Sequence, residues 1–213
     1  MKTDALISLL ATGAAPVKRY AVSRRLAPAL LIGALGAALI AVFGYGVRPD
    51  IGTMLVTPVF WAKLALPFCL AIAALVLTAR LSRPGVAVGR AWAGVAAPVA
   101  AVWLAALVVL WLAPPDSRAA LVLGHTWHSC PFNIALLSVP GCIATFAAMR
   151  GLAPTRLRLA GAAAGLLAGS VATLAYCLHC PEMAVSFWAV WYVLGIALPT
   201  MAGALAGPRL LRW

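Results

Sequence analysis

The sequence is poor in charged residues and poorest in acidic ones. Only 9% of its 213 residues are Asp, Glu, Lys or Arg, and only four are acidic. A soluble globular domain carries about 25% charged residues, so this scarcity excludes an ordinary water-soluble fold. Long apolar segments fill almost the whole chain, which leaves no room for a separate soluble catalytic domain.

Hydrophobic sequence takes the place of the missing charge: 65% of the residues are hydrophobic, and the mean hydropathy is +1.04. Windows of about 20 apolar residues mark segments that can span a bilayer. We therefore expect an all-α integral membrane protein, a bundle of six transmembrane helices. The predicted helices are 26–47, 58–79, 91–113, 131–149, 159–178 and 185–206.

Proline and segment length support these limits. Pro58 and Pro131 stand at predicted helix starts, where proline is tolerated, and Pro208 is expected to follow the sixth helix. Segment 26–47 is too long for the apolar region of a signal peptide, and more apolar spans follow it. It is therefore expected to be a permanent first helix.

The basic residues are distributed unevenly along the chain, which has a net charge of +12. Thirteen of the 16 Lys and Arg residues lie in segment 1–25, in the second–third and fourth–fifth loops, and in the C-terminal tail. Because cytoplasmic loops retain Lys and Arg, this pattern predicts that both termini are cytoplasmic. We interpret the charge as setting topology rather than binding nucleic acid.

Lys63 is the one basic residue placed inside a predicted span. A lysine near the end of a span commonly extends its side chain to the interface. We expect Lys63 to reach outward in this way, toward Glu182 or Asp50. A role on an ion path through the membrane is the alternative.

Small residues recur in the fifth and sixth spans. Gly161, Gly165 and Gly169 are spaced four residues apart, and Gly203 and Gly207 repeat that spacing. This pattern is typical of helices whose backbones approach closely.

All three histidines and three of the five cysteines fall on the predicted outer, oxidising face. They form two short clusters, His125-Thr-Trp-His128-Ser-Cys130-Pro131 and Cys177-Leu-His179-Cys180-Pro181-Glu182. The other two cysteines, Cys69 and Cys142, lie inside predicted spans. Buried cysteine behaves as a small hydrophobic residue, so we expect both to serve packing.

The residues alone leave several chemistries open for the outer clusters. Cys130 and Cys180 could form a disulfide if their Cα atoms lie within about 4.4–6.8 Å. Together with His128 and His179 they could bind a soft metal, with His125 and Glu182 as further or supporting ligands. Cys177 and Cys180 could form a CxxC redox pair, or all of these could be plain loop residues with a structural disulfide at most.

Position along the helices distinguishes the thiols. Cys130 directly precedes Pro131 at a predicted helix start, where unpaired backbone N–H groups favour a thiolate. Cys180 follows a helix C-terminus, where the helix dipole has the opposite sign. We therefore predict that Cys130 is the more acidic thiol and Cys180 its resolving or coordinating partner. For Glu182, a place in the first turn of the sixth helix is favoured over a ligand role.

The N-terminal segment 1–25 is predicted to contain a short amphipathic helix. Thr3 can cap it, Asp4 follows in its first turn, and Gly13 and Pro16 can end it. A helix this short is marginal in water. It should fold against the lipid interface or a protein groove. Its apolar side is formed by Leu6, Ile7, Leu9 and Leu10.

Several motifs together resemble one family, the NrsF-type negative regulators of sigma-F, over essentially the whole chain. They are Met-Lys-Thr-Asp-x-Leu-Ile at the start, Pro58-x-Phe60-Trp61-x-Lys63, Gly124-His125-x-Trp127-x-x-Cys130-Pro131, Leu178-His179-Cys180-Pro181-Glu182 and Trp191-Tyr192. The resemblance implies an anti-sigma factor of the bacterial inner membrane. Such a protein holds an extracytoplasmic-function sigma factor inactive and releases it under oxidative or heavy-metal stress.

The resemblance also implies roles for particular residues. The signal-sensing cysteines would be Cys130 and Cys180, whereas Cys177 is not part of the family pattern. We expect segment 1–15 to contact the sigma factor through Asp4, Leu6, Ile7, Leu9 and Leu10, assisted by the basic loops. No enzymatic activity, resident cofactor or direct nucleic-acid binding is expected, and heavy metal would bind only transiently.

Two other functions stay open as alternatives. A small metal or ion transporter would need polar residues along a mid-membrane path, and the spans offer only Lys63. A membrane thiol oxidoreductase would need two reactive cysteine pairs, and Cys177 with Cys180 supplies one.

Overall fold

The computed structural model describes residues 3–12 and 20–212, and in these ranges the secondary structure is helical with no strand. We number the helices along the chain. They are α1 Thr3–Thr12, α2 Ala21–Tyr45, α3 Ile51–Met54, α4 Pro58–Leu81, α5 Gly89–Leu112, α6 Pro115–Leu123, α7 Cys130–Arg150, α8 Leu157–Tyr176 and α9 Val185–Leu210.

Within the described ranges, six of these helices are long and apolar enough to cross a membrane, namely α2, α4, α5, α7, α8 and α9. They correspond one to one to the six predicted spans, so the all-α prediction is confirmed. The largest deviation is at the first span, which begins at Ala21 rather than at residue 26. Its first turns include Arg24 and Arg25. The prediction excluded these residues because they are charged, but arginine is a good helix former, so the helix extends beyond the apolar segment.

Proline does not end the last helix as predicted. Helix α9 continues through Pro208 to Leu210, and a further proline, Pro199, lies in its interior. Prolines also lie inside α2, α4, α5 and α7. Internal proline is tolerated in helices of this class because neighbouring helices and local changes of helical pitch satisfy the freed carbonyls.

Helix α8 is the centre of the bundle and packs against α2, α4, α7 and α9. Its glycines confirm the predicted close packing. A Cβ atom at Gly161 would overlap the backbone of Gly203, and one at Gly165 would overlap the carbonyl of Pro199. Helices α8 and α9 therefore meet backbone to backbone.

Helix α5 lies at the edge of the bundle and contacts mainly α4 and the first turns of α9. Most of its large apolar side chains are exposed. The two cysteines expected to serve packing differ in their surroundings, because Cys142 is partly buried and Cys69 is exposed. The packing expectation was wrong for Cys69, which lines an open apolar groove between α4 and α5 and is not covered by either helix.

A buried thiol cluster at one end of the bundle

Three cysteines are completely buried where α7 begins and α8 ends. Cys130 is the first residue of α7, while Cys177 and Cys180 follow the last turn of α8, and each is 0% exposed. All three are free thiols. The two outer clusters of the sequence are thus brought together in space, although no disulfide links them.

Two buried tyrosines, Tyr176 and Tyr192, lie among these thiols. Tyr176 lies beside Cys130, and Tyr192 lies beside Cys180. The Tyr192 hydroxyl is 3.8 Å from the Cys177 sulfur, and the two tyrosine rings are 6.2 Å apart. We call these five residues, together with Lys63, the thiol cluster.

Lys63 completes the cluster. The prediction that its ammonium group reaches the interface was wrong, although the side chain does extend toward the end of the bundle that carries the cysteine loops, and its charge acts on Asp50. Its side chain is 0% exposed, and its Nζ donates a 2.7 Å hydrogen bond to the Cys180 carbonyl. The ammonium group also lies 5.8 Å from the centre of the Tyr192 ring, in the range of a cation–π interaction. Packing of α4 against α8 directs this side chain into the bundle.

Arg48 fixes the same peptide from another side. Its Nη1 donates to the Cys180 carbonyl at 3.2 Å, and its backbone N–H donates to the carbonyl of Leu178 at 3.0 Å. Its Nε and Nη2 donate to the two carboxylate oxygens of Asp50 at 2.6 and 2.7 Å. This bidentate pair orients the guanidinium toward the cysteine loop.

The predicted site acid, Glu182, connects the two cysteine-bearing loops. Its Oε1 accepts hydrogen bonds from the backbone N–H groups of His125 at 2.7 Å and Thr126 at 3.2 Å. The expectation of a first-turn helix residue was wrong, because α9 begins only at Val185. A carboxylate bonded to two backbone N–H groups holds the segment before α7 against the segment after α8.

The three histidines do not converge. His179 bonds through Nδ1 to the Gly46 carbonyl at 3.0 Å, and His128 stacks on Trp127 with ring centroids 3.5 Å apart. The imidazole of His125 is exposed. Across residues 3–12 and 20–212, His, Cys, Asp and Glu form no group of three or more that could hold a metal ion. Transient metal binding stays a prediction.

Burial and charge act on groups at this end of the bundle. Desolvation by burial raises the pKa of Cys177 to about 12, an effect opposed by the charge of Lys63 and the hydrogen bond with Tyr192. The hydrogen bonds from Arg48 lower the pKa of Asp50, and the same pair raises the pKa of Arg48. At Cys130 the helix start favours a thiolate while complete burial opposes one, so its greater acidity stays a prediction.

The N-terminal helix α1 is a separate apolar feature. It spans Thr3–Thr12 with Asp4 in its first turn, and none of its residues is buried. Its four predicted contact side chains are 41–67% exposed, namely Leu6, Ile7, Leu9 and Leu10. The residues expected to end it, Gly13 and Pro16, lie outside the described ranges.

The sequence matches one protein family over nearly its whole length. The profile of the family described as "Negative regulator of sigma F" covers residues 10–213. The chain belongs to this family. It is 46% identical over 213 residues to a probable anti-sigma-F factor NrsF of Azospira oryzae. It is 39% identical over 215 residues to the anti-sigma-F factor NrsF of Caulobacter vibrioides, and both alignments cover 100% of each chain. No solved structure matches it.

For this member of the NrsF family, the sequence identified the two cysteine loops but missed most of their surroundings. Tyr176, Tyr192 and Arg48 were not predicted to contact the cysteines. Lys63 carried a usable signal, because an ionisable residue inside an apolar span is a candidate functional residue. Its partner could not be predicted, since the Cys180 carbonyl is 117 positions away along the chain.

Proposed function

We propose that this protein is an anti-sigma factor of the bacterial inner membrane that binds a sigma factor of the extracytoplasmic-function type. Membership of the NrsF family over residues 10–213 is the observation that carries the proposal. The relatives aligned over their full lengths are named anti-sigma-F factors. Membership of this family indicates a regulatory protein rather than an enzyme.

The membrane part of the proposal rests on the six long apolar helices and the distribution of basic residues. An apolar helix of about 20 residues spans the hydrocarbon core, and cytoplasmic loops retain Lys and Arg. We therefore assign both termini to the cytoplasm. The thiol cluster then belongs to the periplasmic end of the bundle, and α1 belongs to the cytoplasm, where a sigma factor is available.

We propose that α1 is the main contact for the sigma factor. It exposes Leu6, Ile7, Leu9 and Leu10 without an apolar partner within the described part of the chain. An amphipathic helix presenting such residues fits a hydrophobic groove on another protein. Asp4 supplies a charge at the start of the same helix.

We propose that Cys130 and Cys180 are the sensor of oxidative or heavy-metal stress. Disulfide formation between them removes two protons and two electrons, which an oxidant accepts, and a soft metal could instead bind both sulfurs as thiolates. Either event links the start of α7 to the segment after α8. Because α8 packs directly on the backbone of α9, a displacement there is carried along the bundle.

The energy that this switch requires can be compared with the energy that the two cysteines supply. Moving a population from mostly sigma-bound to mostly free requires about 5.5 kcal/mol of differential interaction. Closing a loop with a disulfide contributes about 2–4 kcal/mol, and metal–thiolate binding can contribute more. A disulfide therefore supplies energy of the same order but less than the full difference, so it would release part of the bound sigma factor, whereas metal binding to both thiolates can supply all of it.

Co-purification of the cytoplasmic sigma factor tests the proposal. The wild type and Cys130→Ser/Cys180→Ser are expressed in cells and isolated with and without an oxidant or cadmium. We expect both to capture the sigma factor and only the wild type to release it under stress. Cys69→Ser/Cys142→Ser is the matched control, because it removes two cysteines outside the cluster and should release normally.

The outcomes separate the parts of the proposal. Capture of no sigma factor by the wild type would refute the anti-sigma function. Normal capture with stress-induced release from Cys130→Ser/Cys180→Ser would refute the sensor role alone. Replacing Leu6 and Leu10 by Asp should abolish capture while leaving membrane insertion intact, and undiminished capture would refute the role of α1.

A further inference from the structure

Lys63 has an unusual electrostatic position within the thiol cluster. It is completely buried, and an ionised amine is costly to bury unless a partner compensates its charge. The acids at this end of the bundle have other partners: Asp50 is paired with Arg48, and Glu182 accepts hydrogen bonds from the backbone of residues 125 and 126. Among the residues that the structure describes, Lys63 therefore forms no direct ion pair with a carboxylate, and Asp50, on which its charge acts, is already paired with Arg48.

The contacts of Lys63 are with the cysteine loop and a tyrosine ring instead. Its Nζ bonds the Cys180 carbonyl at 2.7 Å and lies 5.8 Å from the centre of the Tyr192 ring. Because the sulfur of Cys180 belongs to the same residue as that carbonyl, covalent geometry keeps it within about 8 Å of Nζ. The charge of Arg48, which shares the carbonyl, is balanced by Asp50.

We propose that Lys63 is a positioning residue of the thiol cluster, which holds the Cys180 peptide in place and makes the surroundings of the Cys180 thiol electropositive. The inference deepens the proposed sensor function and rests on it for its biological meaning. Positive surroundings favour reactions in which a cysteine sulfur attacks as a thiolate. A neutral side chain could supply the hydrogen bond but not this charge.

The charge can be tested by comparing the rates at which two thiol-modifying reagents of opposite charge react with Cys180. The protein retains Cys180 as its sole cysteine and is treated with an anionic and a cationic methanethiosulfonate of similar size. Each reagent forms a mixed disulfide with the sulfur and releases a sulfinate. At reagent concentrations low enough that the buried site recloses faster than it reacts, both rates contain the same opening equilibrium. The ratio of the rates then reports local charge and is independent of how often the site opens.

Lys63→Gln retains a hydrogen-bond donor without the charge, Lys63→Met removes both, and Lys63→Arg keeps the charge. We expect the anionic-to-cationic rate ratio to fall about tenfold in the first two variants, as follows from one charge about 8 Å away acting oppositely on the two reagents. Lys63→Arg should restore it. Arg118→Gln is the matched control, because Arg118 is exposed and bonds only carbonyls near α6.

An unchanged ratio in Lys63→Gln would overturn the inference, since a purely structural role alters the opening frequency and not the ratio. If neither uncharged variant folds, the inference is tested by the anionic-to-cationic rate ratio at Cys180 in the protein that retains Lys63. It should exceed that of free cysteine about tenfold, and equality would refute the inference. Release of the sigma factor, measured separately in wild-type protein, tests the proposed function, so the two failures are distinguishable.

Discussion

The packing of α8 against α9 gives the sharpest prediction about stability. At Gly165 an added Cβ would overlap the Pro199 carbonyl oxygen and would lie 2.6 Å from its carbon and 2.9 Å from Cα of Thr200. All three neighbours are backbone atoms, which cannot rotate away as a side chain could. Gly165→Ala therefore requires α8 and α9 to move apart until the added methyl group no longer overlaps these backbone atoms.

The expected magnitude follows from two opposing effects. Alanine favours a helix over glycine by about 1 kcal/mol, whereas inserting a methyl group into a closely packed interface costs about 1–3 kcal/mol. Separating the helices also weakens their other dispersion contacts. We expect Gly165→Ala to lower the free energy of unfolding by about 1–2 kcal/mol.

Gly44→Ala is the matched control for this substitution. Gly44 lies in α2, is exposed, and an added Cβ there meets only a side-chain methyl of Ile40 at 3.7 Å. It should be neutral or stabilising by up to about 1 kcal/mol. The two variants are compared by reversible unfolding in lipid–detergent micelles titrated with dodecyl sulfate. A difference between them below about 0.5 kcal/mol would refute the close packing.

Three further predictions concern the thiol cluster and its supports. At pH 8 the thiol of Cys177 should be alkylated roughly a thousandfold more slowly than free cysteine, because burial raises its pKa to about 12. Denaturation in dodecyl sulfate should abolish the difference, and fast labelling of folded protein would contradict the burial. Glu182→Gln should weaken the link between the two cysteine loops and raise the alkylation rate of Cys180 several-fold, while Asp116→Asn, which removes an acid outside the cluster, should not. The pKa of Asp50, followed by carbon NMR, should lie below its ordinary value in the wild type and rise in Arg48→Gln, because the hydrogen bonds from Arg48 are the largest cause of the lowered pKa. Since the folded pKa is the lower one, the stabilisation by this pair is present above the unfolded pKa and is lost as the pH falls through the folded pKa; an unchanged Asp50 titration in Arg48→Gln would contradict this.

Much of the architecture could be predicted because long apolar helices follow local rules. Each span is a run of apolar residues, and Pro58 and the Cys130–Pro131 pair stand where α4 and α7 begin. The glycine spacing at Gly161 and Gly165 correctly predicted a close helix contact, since only a missing side chain permits backbones to touch. The course of α9 through Pro208 could not be predicted, because surrounding helices decide whether proline ends a helix.

The candidate site was predictable only in part, for a physical reason. From the sequence alone, the two cysteine loops were predicted to lie at the same end of the bundle, because two consecutive spans, now α7 and α8, separate them along the chain. Only the tertiary structure decided that Cys130, Cys177, Cys180 and Lys63 are buried together, while Cys69 faces outward. Which face of a helix is buried depends on packing against distant segments, and hydropathy does not encode that direction when every face is apolar.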